Sequence, residues 1–417
     1  MAPEDSYRRR LVDDALDELF QQLPAISVIG PRAAGKTTTL ERRAATVVHL
    51  DDDRQALAFR LDPAAALREL EEPVLLDEWQ AVPGVLGAVR RAVDADWRPG
   101  RFLISGSVRA AFRHPVWPGT GRIVELAMYP MSVREQRGER TGPGFVERLM
   151  TGQELTTPRD SPDLRGYVEL AVQSGFPRPV VQLEGSVRAR WLRSYVANLV
   201  THDLEQLEEP VTRSRDPQRL RRYLAAFALN SAGVVDQRTL HEAAGISKVT
   251  GTAYEDLLLD LLVAERVPAW FSNRLRRLTH QPKRYLIDAG LIPAVVGVDA
   301  NGILRDGNLL GRVIETFVVA QIRPEVAALT ESAQLHHLRT QAGRQEVDLV
   351  LELSGGRVIG IEAKATSAPS AADAKHLRWL RDQLGDRFVA GVVLHTGPWP
   401  FQLDERIVAA PISTLWG

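Results

Sequence analysis

Gly30-Pro31-Arg32-Ala33-Ala34-Gly35-Lys36-Thr37 follows a short apolar run, Ala25 to Ile29, and opens a segment that reads as helical from Thr38 to Ala45. Gly, four residues, Gly, Lys, Thr is the spacing of a loop that cradles phosphate. Glycines at both ends let the backbone turn tightly and aim its N–H groups inward at phosphate oxygens. The helix that follows adds its positive end to the same place. Lys36 can reach the terminal phosphates, and the Thr37 hydroxyl can hold Mg²⁺. Gly30, Pro31, Arg32, Ala33, Ala34, Gly35, Lys36 and Thr37, with Thr38 at the helix start, are therefore the expected contacts for a nucleoside triphosphate.

A second stretch supplies the acids that such a loop requires. Pro73-Val74-Leu75-Leu76-Asp77-Glu78 reads as a buried parallel strand that delivers two carboxylates at its C-terminal tip. Asp77 would bind Mg²⁺, directly or through water, and Glu78 would polarise the water attacking the γ-phosphate. Arg101 to Ser107 reads as a third buried strand. At its tip, Ser105 and then Ser107 are candidates to touch the γ-phosphate or that water, against ordinary strand-end capping. Arg122 could sense the γ-phosphate or act on a neighbouring subunit, or could simply be salt-bridged. Asp51-Asp52-Asp53 reads as a polar loop and helix cap. An amphipathic helix over residues 6 to 22 precedes the loop, with Arg8 to Arg10 read as a solvated face.

Composition narrows the class. The 417 residues are 44% hydrophobic and 25% charged with a net charge of −1, as in an ordinary globular protein of two or three domains. That charge argues against a nucleic-acid coat protein, although a local basic patch stays open. There is no cysteine, hence no disulfide framework and no thiolate metal site. No segment resembles a signal peptide or crosses a bilayer, so a cytoplasmic protein without membrane contact is expected. Only five of the 52 basic residues are lysines, at 36, 248, 283, 364 and 375. Where Arg is so heavily preferred, a Lys marks a place for a compact, tunable cation.

The phosphate loop, the Leu-Asp-Glu strand, the Ile-Ser-Gly-Ser strand, Gly121-Arg122 and the Pro-x-Ser-x-x-Glu stretch from Pro130 to Glu135 together resemble the AAA+-type ATPases whose C-terminal half is the DUF4143 domain. The resemblance implies a doubly wound parallel sheet for residues 1–135, using ATP and Mg²⁺, with a second copy of the chain as an expected partner. Residues 136–163, rich in Gly, Pro, Thr and charge, read as a linker or excursion. Residues 164–300 read as a helical and winged-helix region. Trp191, Tyr195, Leu199 and Leu204 form a core stripe on a helix from Val187 to Leu207, and His202-Asp203 stands where the family tends to carry Arg-Asp. Leu240 to Leu262 has the layout of a helix-turn-helix. Arg274, Arg276, Arg277, Lys283 and Arg284 would make a basic wing on DNA phosphates, unless the module only packs against other domains. Tyr285 to Leu291 matches a family segment without an evident chemical role.

The last stretch, residues 301–417, carries a second constellation. Leu309 to Ile322 reads as a helix with Glu315 at its flank, Gln345 to Leu351 as a strand, Ser354-Gly355-Gly356 as a turn, and Arg357 to Lys364 as the returning strand. A three-residue turn pairs Leu353 with Arg357 and sets Asp348 opposite Glu362, with Lys364 on the face of Glu362. Opposed carboxylates lie about 5 Å apart at Cβ and need a positive charge between them, which Mg²⁺ would supply. Lys364 could then orient or deprotonate water. A two-residue loop would shift the register and spoil the pairing. The pattern resembles the PD-(D/E)XK, restriction-endonuclease-like fold, with a helix (Ala371 to Leu384) and a strand (Phe388 to Leu394) after it. That resemblance implies Asp348 and Glu362 as metal ligands, Glu315 as an accessory ligand, Lys364 as the catalytic lysine, and DNA as the substrate. A salt-bridged hairpin and a fold that only grips nucleic acid or protein are the alternatives.

Overall fold

Five short apolar runs pair side by side in one sheet: β1 (Ala25–Ile29), β2 (Thr46–His49), β3 (Val74–Asp77), β4 (Phe102–Gly106) and β5 (Val124–Ala127), in the order β2-β3-β4-β1-β5, all parallel. The computed structural model describes residues 7–107, 119–138, 142–201, 216–273, 277, 280–340 and 343–417. His202, Asp203, Leu204, Arg274 and Arg276 lie outside the described residues. The chain divides into two units, Met1–Pro130 with Leu258–Val263, and Met131–Leu257 with Ala264–Gly417.

In the first unit the three central strands, β1, β3 and β4, are buried throughout because both faces are covered. Ile26, Val28, Leu75 and Leu103 pack with Val12, Leu16 and Leu40, which come from helices α1 (Val12–Phe20) and α2 (Lys36–Glu41). The alternate residues Ala25, Val74, Leu76, Phe102 and Ile104 pack with Val85, Val89 and Val93 of the helix Gly84–Ala95. Period-two alternation thus feeds two separate apolar layers from single strands. Asp52 caps helix α3 (Asp53–Leu61) by accepting the Arg54 N–H, as expected of the acidic triplet. Arg10 corrects the solvated-face reading of the lead-in. It is 3% exposed and donates to the carbonyls of Ala34 (2.8 Å) and Tyr129 (2.6 Å), so it braces the phosphate loop from behind.

The second unit contains a hairpin of β6 (Ala264–Val267) and β7 (Lys283–Leu286) and a mixed sheet. That sheet comprises β8 (Ala333–Arg339), β9 (Glu346–Leu353), β10 (Val358–Ala363), β11 (Phe388–His395), β12 (Phe401–Asp404) and β13 (Ile407–Pro411), in the order β12-β13-β11-β10-β9-β8. β10, β11 and β13 run parallel, and β8, β9 and β12 pair antiparallel with their neighbours. The helix Lys375–Leu384 covers one face through Leu377, Leu380 and Leu384. The helix-turn-helix spacing is present as Gln237–Ala244, the left-handed Gly245, and Lys248–Asp260.

Residues 136–163 are not simply a linker. The helix Phe145–Thr151 buries Phe145, Val146 and Leu149, and the Val146 N–H donates to Glu325 Oε1 at 2.9 Å. Pro-x-Ser-x-x-Glu is a capping box in which Ser132 accepts the Glu135 N–H and Glu135 accepts the Ser132 N–H. Glu325 itself is buried, and that burial pushes its acid from 4.5 up to about 7, against the pull of the Val146 N–H and Arg134. Stability from the neutral acid is complete below the unfolded-chain value and is lost as pH rises through the folded one. Glu325→Gln is therefore expected to unfold at a higher temperature than wild type at pH 8 and at the same temperature at pH 4. The pH 8 gain is on the order of 1–3 kcal/mol. Equal midpoints at both pH values would show that burial of Glu325 carries no charge penalty.

Candidate functional site

The loop between β1 and α2 is shaped by two backbone requirements. A Cβ on Gly30 would fall 2.0 Å from the Met128 carbonyl oxygen, so only glycine fits there. Gly35 takes φ +96°, in the left-handed region that glycine enters without steric cost, and Ala33 also sits there at φ +62°. Lys36 follows as the first residue of α2, buried, with Nζ donating to the carbonyls of Gly30 and Pro31 at 3.0 Å each. Burial lowers its ammonium to about 8, with Glu78 and Asp77 acting the other way.

β3 lies two strands from β1 and ends at the same edge of the parallel sheet, which brings Asp77 to the loop. The Thr37 hydroxyl donates to both Asp77 oxygens, at 2.9 and 3.1 Å. Ser105, at the tip of β4, also donates to Asp77. The placement of Ser105 and Ser107 is at the acids: Ser107 donates to Glu78 Oε2 at 2.9 Å, and Gln80 donates to the same oxygen. Glu78 adopts φ +51°, a backbone region unusual for a non-glycine residue, which turns its carboxylate off the strand end. These donors and acceptors suit a nucleotide with Mg²⁺. A hydroxyl and a carboxylate in contact can share the ion, and a buried ammonium at the loop can meet phosphate.

Arg122 does not join them. It precedes β5, whose first residues pair with Ile26 near the start of β1, whereas the loop leaves the far end of β1. It is ion-paired with Asp94 at 2.8 Å. A role as a γ-phosphate sensor in its own subunit is thereby corrected, because parallel strands put the start of β5 and the end of β1 at opposite edges.

Residues 22–136 match the AAA domain family, and residues 310–415 match DUF4143, a domain of unknown function. The chain carries a P-loop AAA-type ATPase domain. Residues 164–302, between the AAA-type domain and the DUF4143 region, match a further domain of unknown function, DUF8612. An uncharacterized protein of Mycobacterium tuberculosis, Rv2008c, and one of Mycobacterium bovis, Mb2031c, are each 29% identical over 414 residues, covering 98% of this chain and 84% of theirs. Among solved structures, the Walker-type ATPase PABY2304 of Pyrococcus abyssi is similar at 15% identity and a TM-score of 0.44, over 71% of this chain and 97% of that one. Two residues of the AAA-type domain site escaped the sequence reading. His49, at the end of β2, places Nδ1 3.2 Å from Asp77 Oδ2, and Gln80 holds Glu78. A signal for His49 existed: it stands at the tip of the strand beside β3, where side chains converge on the same edge.

In the DUF4143 region the turn has three residues, Leu353 N–H donates to Arg357, and β10 pairs with β9 from Val358–Glu352 to Ile361–Leu349. The next position in that register sets Asp348 beside Glu362. Lys364 Nζ reaches Glu362 Oε2 at 2.8 Å, and the Ala363 N–H donates to Asp348 Oδ2 at 3.1 Å. The expected juxtaposition of Asp348, Glu362 and Lys364 is present.

The expected Mg²⁺ does not fit it. Lys283 Nζ lies 2.5 Å from Glu315 Oε1 and 3.1 Å from Asp348 Oδ1, and the Tyr285 hydroxyl donates to Glu315 Oε1 at 2.6 Å. Among the described residues no group of three His, Asp or Glu side chains is arranged to hold a metal. Burial and Asp348 raise Glu315 to about 7 and Glu362 well above the usual range. Burial alone would raise Asp348 too, but Lys283 beside it holds it below. An ammonium stands between two of the three proposed ligands.

For Arg277, Lys283 and Arg284 the basic-wing reading is corrected as well. Arg277 pairs with Glu352, Lys283 with Glu315 and Asp348, and Arg284 with Glu255 at 2.7 Å. All three have side chains at most 12% exposed, so none of them can lie on DNA phosphates without unpairing a buried acid. The family segment Tyr285 to Leu291 gains a role. Tyr285 binds Glu315, and buried Asp288 accepts the N–H groups of Gly175 (2.6 Å) and Gly290 (2.8 Å).

Proposed function

We propose that the chain is a Mg²⁺-dependent, ATP-hydrolysing switch whose C-terminal half engages its partner, nucleic acid or protein, without cutting it. The observation that carries the first part is the contact of Thr37, Ser105 and His49 with Asp77 at the edge where the phosphate loop ends. Mg²⁺, when bound with nucleotide, would supply charge against the β- and γ-phosphate oxygens. Thr37 and Asp77 would hold it, Lys36 would hold the terminal phosphates, and Glu78 would orient the attacking water and take its proton. Ser107 and Gln80 keep the Glu78 carboxylate directed, and Ser105 and His49 do the same for Asp77. The role toward nucleotide that suits Arg122 in its present place is in trans, supplied to a neighbouring copy. Steady-state ATP hydrolysis by the full chain, with Mg²⁺ and after chelation, tests the reading. Absence of turnover, or turnover indifferent to chelation, would sink it.

A second reading, DNA cleavage by the C-terminal domain, is favoured by the register that sets Asp348, Glu362 and Lys364 together. It requires a divalent ion among these acids. Incubating DNA with the chain, ATP and Mg²⁺ or Mn²⁺ tests it, with Lys364→Ala as the comparison; intact DNA excludes cleavage.

A further inference from the structure

We infer that Lys283 is the resident counterion of the C-terminal acid cluster, standing where a divalent cation would otherwise sit, so that this domain works without a metal. The inference rests on the reading of residues 301–417 as nuclease-like, and names what stands in for that fold's ion. Three carboxyl groups converge there from three elements: Glu315 from the helix Gly307–Ala328, Asp348 from β9 and Glu362 from β10. Carboxylates taken out of water need a compensating charge, from a metal or from an ammonium. Lys283 supplies it from β7, outside the Asp348-to-Lys364 motif. Its side chain is 3% exposed, and Nζ bridges Glu315 and Asp348 at 2.5 and 3.1 Å.

The remaining oxygens leave little for a metal to use. Glu315 Oε1 already accepts from both Lys283 and Tyr285, and Asp348 accepts from Lys283 on one oxygen and the Ala363 N–H on the other. Glu362 Oε2 is taken by Lys364, which leaves Glu362 Oε1 as its unpartnered atom. Mg²⁺ placed here would have to displace the Lys283 and Lys364 ammonium groups from the carboxylate oxygens they already hold.

Lys283 is held in place by its own strand. Residues 283 and 285 share a face of β7 by alternation, so ammonium and phenol reach Glu315 together. Arg284, between them, points to the other face and is fixed on Glu255, while Val267 of β6 pairs with Lys283 along the backbone. The cation is thus fastened to the hairpin, and the hairpin to the acids.

Mn²⁺ titration followed by electron paramagnetic resonance, on the full chain without nucleotide, tests this. Wild type and Asp348→Asn are expected to bind Mn²⁺ alike. Lys283→Met, which keeps the length and removes the charge, is expected to gain one site about ten- to a hundredfold tighter than any in wild type, lost again in Lys283→Met/Asp348→Asn. A wild-type site abolished by Asp348→Asn would overturn the inference. So would a folded Lys283→Met that gains none. If Lys283→Met does not fold, the wild type and Asp348→Asn comparison still decides. Failure of the ATPase reading would appear as missing turnover and would leave these titrations unchanged.

Discussion

Lys36→Ala is expected to reduce ATP turnover by the AAA-type domain at least about 10²-fold, the scale on which a positioned charge stabilises a transferring phosphoryl group. The side chain is buried at the head of α2 and bonded to two carbonyls of its own loop. Those bonds hold the ammonium where the phosphates would arrive. Burial lowers the ammonium to about 8, and an incoming polyanion would favour its charged form. Alanine removes both the charge and the brace across Gly30 and Pro31. Binding of a fluorescent ATP analogue is therefore expected to weaken together with turnover. Unimpaired binding and turnover in a folded Lys36→Ala would remove Lys36 from the site.

Glu78→Gln is expected to part these two measurements. Glutamine keeps the size and can still bond Ser107 and Gln80, so nucleotide binding is expected to stay near wild type. It cannot accept a proton from water, so turnover is expected to fall about 10²- to 10⁴-fold. The left-handed backbone at Glu78 is unaffected by the exchange, and so the variant isolates the chemistry from the fold. Equal kcat in wild type and variant would move the general base elsewhere, with His49 the next residue to examine.

Several elements were legible in the chain because their causes are local. The Gly30-to-Thr37 spacing, the apolar run ending in Asp77-Glu78 and the acidic cap at Asp52 each follow from steric and hydrogen-bonding rules that act within a few residues. The β9–β10 register was legible for the same reason, since a three-residue turn fixes it. Other features were not. Arg8 to Arg10 looked like a solvated cluster, yet Arg10 is buried because Ala34 and Tyr129 present carbonyls to it from distant positions. Residues 136–163 looked featureless, since the Phe145–Thr151 helix takes its support from distant elements, Glu325 among them.

The sequence by itself determined that phosphate is handled at one edge of a parallel sheet, because the loop with its lysine and the apolar run ending in an acid each carry a complete signal within a few residues. Which side chains neutralise the C-terminal acids was decided only in three dimensions. Lys283 is 65 residues from Asp348 in the chain, and nothing in its own neighbourhood distinguishes a surface cation from a buried one. Charge compensation acts through space, so the partner of a buried carboxylate belongs to the fold rather than to the motif.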